Sequence, residues 1–163
     1  MSLDFSTCDL CDLHHNDDSV RMLPPVFRDF GGRSRFAGPV ATVRCHEDNS
    51  LVKAAVDAPG QGRVLVVDGG GSLRKALLGG KLGAAAARNG WAGVVIDGAV
   101  RDVAELAASD VGIKALAAVP MPTVKRNAGE AGVAVQLQGV WIRPGDWLYA
   151  DADGVLVSGR PLT

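Results

Sequence analysis

Residues 63–102, RVLVVDGGGSLRKALLGGKLGAAAARNGWAGVVIDGAVRD, decide the fold. Arg63 to Asp68 is a continuous apolar run between charges, the pattern of a strand buried on both faces. Three glycines follow, Gly69 to Gly71, then SLRKALL and a second glycine pair, Gly79-Gly80. The alanine-rich KLGAAAARNG predicts a helix that this pair opens and that Asn89-Gly90 stops. WAGVVIDGAV predicts a second buried strand, with Arg101-Asp102 where it ends. A helix around Val103 to Ala108 and a strand near Ala117 to Val124 complete a strand–helix–strand–helix–strand series. That order implies a βαβ core with right-handed crossovers.

Working upstream, GGRSRFAGPVATVRC reads as a glycine turn feeding a strand over Ala37 to Cys45. Glu47 to Ser50 offers N-capping residues to a helix over Leu51 to Asp57, which Pro59, Gly60 and Gly62 end. Leu3, Phe5, Leu10 and Leu13 lie among acidic residues and predict a short helix and a loop, broken by Pro24-Pro25. Downstream, VAVQLQGVWIRPGDWLYADADGVLVS alternates apolar and polar residues, with turns at Gly139, Pro144-Gly145 and Asp153-Gly154, and predicts a β-meander. The reading is one α/β domain over residues 1–163.

Composition narrows the function. Apolar residues at 47% and charged residues at 21% are ordinary for a globular chain, so disorder is not expected over most of it. Glycine, 21 of 163 residues, is well above the usual ~7% and implies tight turns or close backbone approaches. The net charge of −1 is spread along the chain and provides no basic stripe, which argues against direct nucleic-acid binding. MSLDFSTCDL has no basic segment followed by an apolar one, and no apolar run approaches the ~18 residues that span a bilayer. Three cysteines suit a reducing cytoplasm better than a disulfide framework.

Gly79-Gly80 with Arg101-Asp102 is the strongest candidate site. Both groups fall at the carboxyl ends of neighbouring elements of a parallel sheet, where α/β proteins place ligands. A glycine-opened helix turns unpaired N–H groups and its positive end toward that crevice, which suits a carboxylate or phosphate. Arg101 adds a bidentate clamp, and Asp102 a hard oxygen ligand for Mg²⁺ or a similar cation. An anion pocket beside a metal is the chemistry of α-keto acid recognition. The plainer alternative is a helix–helix turn and a surface salt bridge worth about 0–1 kcal/mol.

Weaker motifs have structural explanations. Cys8-x-x-Cys11 with His14 and His15 offers zinc-type ligands, but no second CxxC exists and spacing three also suits helix packing. Gly69–Gly71 lacks the third glycine of a dinucleotide fingerprint, since Arg74 stands there. Asp151-Ala-Asp153-Gly154 resembles the start of a calcium loop without its later ligands and reads as a hairpin turn. His46 beside Cys45 reads as structural.

DLCDLH, FGGRSRFAGPVATVRC, EDNSLV, GRVLVVDGGGSLRKALLGG, GVVIDGAVRD, GIKAL and GDWLYADADGVLV resemble, in order and over most of the chain, signature stretches of the RraA-like family. That family joins regulators of ribonuclease E to metal-dependent pyruvate aldolases. The resemblance implies a β/β/α swivelling-type fold and a homotrimer with pockets between subunits. It also implies that the main chain at Gly79, Gly80, Lys81 and Leu82 binds a substrate carboxylate, that Arg101 binds the substrate, and that Asp102 holds a divalent metal, Mg²⁺ or Mn²⁺. Similar aldolases carry an aspartate 21 positions before the arginine, where this chain has Gly80. A glycine cannot order a water, so a 10–100-fold lower metal affinity is expected.

Two functions follow. The resemblance implies a lyase that cleaves 4-hydroxy-4-methyl-2-oxoglutarate into two pyruvates and decarboxylates oxaloacetate as a side activity, with Arg101 and Asp102 catalytic. Both reactions pass through a pyruvate enolate, whose charge a chelated cation and Arg101 stabilise. The alternative is a non-catalytic module that binds ribonuclease E and inhibits it. The near-neutral charge suits protein contact, whereas the Arg101-Asp102 pair favours the enzyme. A carboxylate in an anion pocket repels its ligand unless a cation intervenes.

Overall fold

The computed structural model describes residues 4–163, so Leu3 lies outside the described residues. In chain order the elements are α1 (Thr7–His14), β1 (Arg21–Met22), β2 (Arg28–Asp29), β3 (Phe36–Arg44), α2 (Ser50–Asp57) and β4 (Val64–Asp68). Next come β5 (Ala76–Leu78), α3 (Gly80–Arg88), β6 (Gly93–Val100), α4 (Val103–Ala107) and β7 (Gly112–Ala118). The chain closes with β8 (Glu130–Ala131), β9 (Val135–Leu137), β10 (Val140–Ile142), β11 (Trp147–Asp151) and β12 (Gly154–Ser158).

β3 is the member that joins two kinds of sheet. Its second half, Val40 to Arg44, pairs in parallel with β4, which continues in parallel to β6 and β7. Its first half, Phe36 to Pro39, pairs antiparallel with β11, and β12 and β1 continue that side. The strand order is β1-β12-β11-β3-β4-β6-β7-β2. The two central strands of the parallel half read as unbroken apolar runs because both faces are covered. Leu65, Val67, Val94 and Ile96 face Val52 and Val56 of α2 and Ala85 and Ala86 of α3. Val64, Val66 and Val95 face the opposite way, onto Leu137, Ile142, Leu148 and Val157. The predicted α/β fold with a βαβ core is present.

Two readings are corrected. The strand predicted near Ala117 to Val124 is Gly112–Ala118, shifted toward the N-terminus. Lys114 hides it by putting a charge into the apolar run. The fold tolerates that buried lysine because its Nζ donates to the Asp151 carbonyl at 2.6 Å and pairs with Asp29 at 3.3 Å. Pro120 and Pro122, which lack an N–H, then stop the ladder. The meander is also divided. β9 and β10 form a separate two-stranded sheet, turned by Gln138 and Gly139 with φ of 49° and 82°, while β11 and β12 join the large sheet. Positive φ at both turn residues is the hairpin geometry that matches strand twist.

Phe36 fixes how closely the parallel strands pack. A Cβ at Gly93 or at Gly112 would collide with its fully buried ring, so glycine is required at both places. No described helix is long and apolar enough to cross a membrane.

Candidate functional site

β5 and β6 run in parallel and finish side by side, the Arg101 N–H donating to Leu78 O at 3.0 Å. Gly79 caps α3 in extended conformation, and Gly80, Lys81 and Leu82 form its first turn. Amides there have no carbonyl one turn back to bond, so they and the helix dipole present positive potential. The Gly80 N–H is taken by Asp102 Oδ2 at 2.8 Å. Lys81 and Leu82 N–H remain for a ligand.

Asp102 is left-handed, φ 59° and ψ 48°, a conformation that non-glycine residues seldom adopt and that gathers at functional sites. Its carbonyl accepts the Leu106 N–H and starts α4, leaving its side chain for Gly80. A Cβ at Gly79 would come within 2.9 Å of Asp102 Oδ2 and 3.4 Å of Arg101 Nε, so both side chains press close to bare backbone. Arg101 Nη1 also donates to Pro120 O at 3.4 Å, and the Ala76 N–H donates to Met121 O at 2.8 Å. These contacts draw the segment after β7 against the site.

A cavity of about 350 Å³ results, within the usual small-molecule range. Gly79, Gly80, Lys81, Leu82, Arg101 and Asp102, the six residues singled out from sequence, all line it. Glu105 joins them, and Asn49, Lys53, Thr123 and Lys125 complete the lining with Ala76 and Pro122. Sequence reasoning missed Glu105. Its signal was present: Asp102 and Glu105 stand three apart at a helix start and share a face.

Glu105 revises the expectation attached to Gly80. A Cβ built on Gly80 would collide with Glu105 Oε2. The space beside the glycine is therefore already filled by a carboxylate from another position. Two hard oxygen donors, Asp102 and Glu105, face one cavity, and no group of three or more His, Cys, Asp or Glu that could hold a metal exists among the described residues. One or two carboxylates, completed by waters and ligand oxygens, is the donor set Mg²⁺ prefers. The residues present fit a divalent cation of that kind.

The remaining motifs take structural places. Cys45 is buried, which pushes its thiol up to about 12, so it does not ionise beside His46. Burial opposes the charge on Asp48, yet hydrogen bonds from Ser50 and from the Arg126 and Ala128 amides outweigh it and hold its pKa at about 2. Asp151 closes the β11–β12 turn and accepts from Thr7, and so anchors α1.

Comparison with known proteins decides the family. The RraA-like family model, described as Aldolase/RraA, matches residues 7–157. The chain belongs to the RraA-like family. A relative from Albidiferax ferrireducens, provisionally named a 4-hydroxy-4-methyl-2-oxoglutarate aldolase, is 67% identical over 171 residues, covering 98% of this chain and 99% of the relative. The RNA-processing inhibitor RraA from Thermus thermophilis superimposes with a TM-score of 0.93 at 49% identity, covering 98% of this chain and 96% of that one. A Geobacillus kaustophilus structure described as an S-adenosylmethionine:2-dimethylmenaquinone methyltransferase follows at 0.89 and 43%, covering 97% of each. Three different functions are thus named on RraA-like relatives, and fold does not choose between them. The choice rests on the cavity.

Proposed function

We propose that this RraA-like chain is a divalent-metal-dependent pyruvate aldolase that cleaves 4-hydroxy-4-methyl-2-oxoglutarate and also decarboxylates oxaloacetate. The observation that carries it is the 2.8 Å bond from Gly80 N–H to Asp102 Oδ2, which sets a metal-binding carboxylate against the helix end suited to a substrate carboxylate. The Lys81 and Leu82 amides take the carboxylate of the keto acid, and Arg101 lies beside its 2-oxo oxygen. Asp102 and Glu105 hold the metal. Bound there, a divalent cation supplies a Lewis acid for that oxygen.

Cleavage breaks the C3–C4 bond. The C4 hydroxyl loses its proton and becomes a carbonyl, the electron pair of the broken bond passes through C3 to the 2-oxo oxygen, and a proton from solvent then returns to C3 to give the second pyruvate. Arg101 donates to that oxygen as its charge grows, which is the kind of preorganised contact whose loss costs about 2.7–4 kcal/mol of barrier. Arg101→Ala and Asp102→Ala are each expected to lower turnover at least about a hundredfold, roughly 2.7 kcal/mol. Oxaloacetate decarboxylation assayed with Mg²⁺ or Mn²⁺, with and without EDTA, is the test. A rate indifferent to chelator and to both substitutions removes the reading.

A homotrimer belongs to the same proposal. Leu73, Val103, Met121 and Val124 are exposed apolar residues close in sequence to cavity-lining positions, where subunit contact would cover them. Light scattering after size exclusion tests this, and a monomer would end it. The likeness to the Thermus RNA-processing inhibitor favours a second reading, a regulator that binds ribonuclease E through surfaces of near-neutral charge. Absence of a complex with purified ribonuclease E at micromolar concentrations would remove it.

A further inference from the structure

Packing does not account for the Cys8-x-x-Cys11 pair. Cys11 is half-buried against the cluster of Phe5, Leu10, Tyr149 and Leu156, but Cys8, one helical turn before it, is exposed. Both line a cavity of about 280 Å³ between α1 and the start of β12, and Met22 lines it with them. That cavity shares no residue with the one at Arg101 and Asp102.

Met22 reaches it by strand pairing. In the β1–β12 ladder it stands opposite Leu156. Directly opposed residues of an antiparallel pair project to the same face, with Cβ atoms about 4.5–5.5 Å apart. Leu156 packs with Leu10 beneath α1, so Met22 sits on the α1 side of the sheet, where it is 61% exposed. Both walls are anchored. The Thr7 N–H and Oγ1 donate to the two Asp151 carboxylate oxygens at 2.8 and 2.6 Å and hold the first turn of α1, while β12 holds β1. Three sulfur-bearing side chains from two fixed elements thus meet at one small cavity.

Their chemistry selects the ligand. Residues three apart on a helix hold their Cβ atoms about 5–6 Å apart, whereas a disulfide needs about 3.5–4.5 Å. The regular turn of α1 therefore suits an atom bridging two sulfurs better than a bond between them. The Asp153 charge first, and desolvation next, raise the Cys8 thiol above its ordinary value, the reverse of the lowered thiol of a redox-active pair. No third His, Cys, Asp or Glu completes a zinc-type set among the described residues. Two thiolates and a thioether select a soft cation such as Cu(I), whereas carboxylates and water select Mg²⁺ or Mn²⁺.

We propose that Cys8, Cys11 and Met22 form a three-coordinate site for Cu(I). Binding sends two thiol protons to solvent and changes the oxidation state of neither copper nor sulfur. The site is independent of the aldolase reading.

Anaerobic titration of the purified chain with Cu(I), in competition with a chromogenic Cu(I) chelator, is the test. One Cu(I) per chain is expected, and X-ray absorption of the loaded protein should show three sulfur neighbours and no oxygen or nitrogen. Cys8→Ser and Cys11→Ser should each weaken capture at least about a hundredfold, and Met22→Leu about tenfold, because hydroxyl and hydrocarbon are poor partners for a soft cation. Cys8→Ser and Met22→Leu should keep the wild-type urea midpoint, since both positions are exposed. Cys45→Ala should leave capture unchanged, because that thiol is buried away from the cavity. Uptake that survives Cys8→Ser, or an affinity that Met22→Leu leaves in place, overturns the assignment, whatever the oxaloacetate assay returns.

Discussion

The two halves of the large sheet meet at β3 and differ in the direction of their strands. In the parallel half, strand ends, helix starts and connecting loops gather at one rim, and every residue of the candidate site lies there. In the antiparallel half, β11 turns back tightly into β12 and β1 pairs beyond it, and the helix N-terminus at that rim, the start of α1, is taken up by Asp151 rather than left for a ligand. The difference is one of chain direction. Parallel strands need crossovers, and crossovers deliver unpaired amides and side chains to a common edge. The antiparallel half supplies packing: its Leu148, Val155 and Val157 cover the back of the parallel strands.

If that division holds, damage on the two sides should differ in kind. At the site, the residue that tests the division is Glu105. Glu105→Ala should weaken Mg²⁺ or Mn²⁺ binding about 10–100-fold, by removing one of the two carboxylates that face the cavity. Metal titration followed by calorimetry or by activity reads this, and unaltered affinity in Glu105→Ala would show that Asp102 works alone. Next comes Gly112→Ala, expected to cost about 3 kcal/mol in urea unfolding, since Phe36 has no room to move. In the antiparallel half, Thr7→Val removes the 2.6 Å bond to Asp151 and should cost about 1.5–2 kcal/mol, leaving turnover unchanged. Lost activity in that variant would mean that the halves communicate.

The smallest effect is a pH dependence. Hydrogen bonds from Arg74 and then Ser72 lower the Glu47 carboxyl to about 2. A carboxylate held below its unfolded value of 4.5 stabilises the fold fully above that pH and loses the contribution as pH falls through about 2. Wild type should therefore exceed Glu47→Gln in stability at neutral pH, and the gap should close between about pH 4.5 and 2. A gap that persists at pH 2 would assign it to packing.

Much of this was readable beforehand, for physical reasons that vary along the chain. β4 and β6 were legible because burial on both faces leaves an uninterrupted apolar run. Gly79-Gly80 and Arg101-Asp102 stood out by their place at the ends of neighbouring elements, Lys81 and Leu82 only by the family resemblance, and the fold brings all six to one cavity. β7 was misplaced because Lys114 is satisfied by Asp29 and Asp151, which are distant in sequence. β5 was invisible, since three apolar residues acquire strand character only when β6 lies beside them. Lys125 joined the cavity lining only once folding had brought the segment after β7 to the rim, whereas Glu105 shares a helix face with Asp102 and was open to discovery.

β3 has a final consequence. An unbroken strand that is hydrogen-bonded to both halves of the large sheet gives neither half a boundary at which to come apart. Loosening Phe36 to Pro39 from β11 also frees the ring that seats Gly93 and Gly112. The molecule should therefore melt as one cooperative unit, with amide exchange on both flanks of that strand governed by the same global opening.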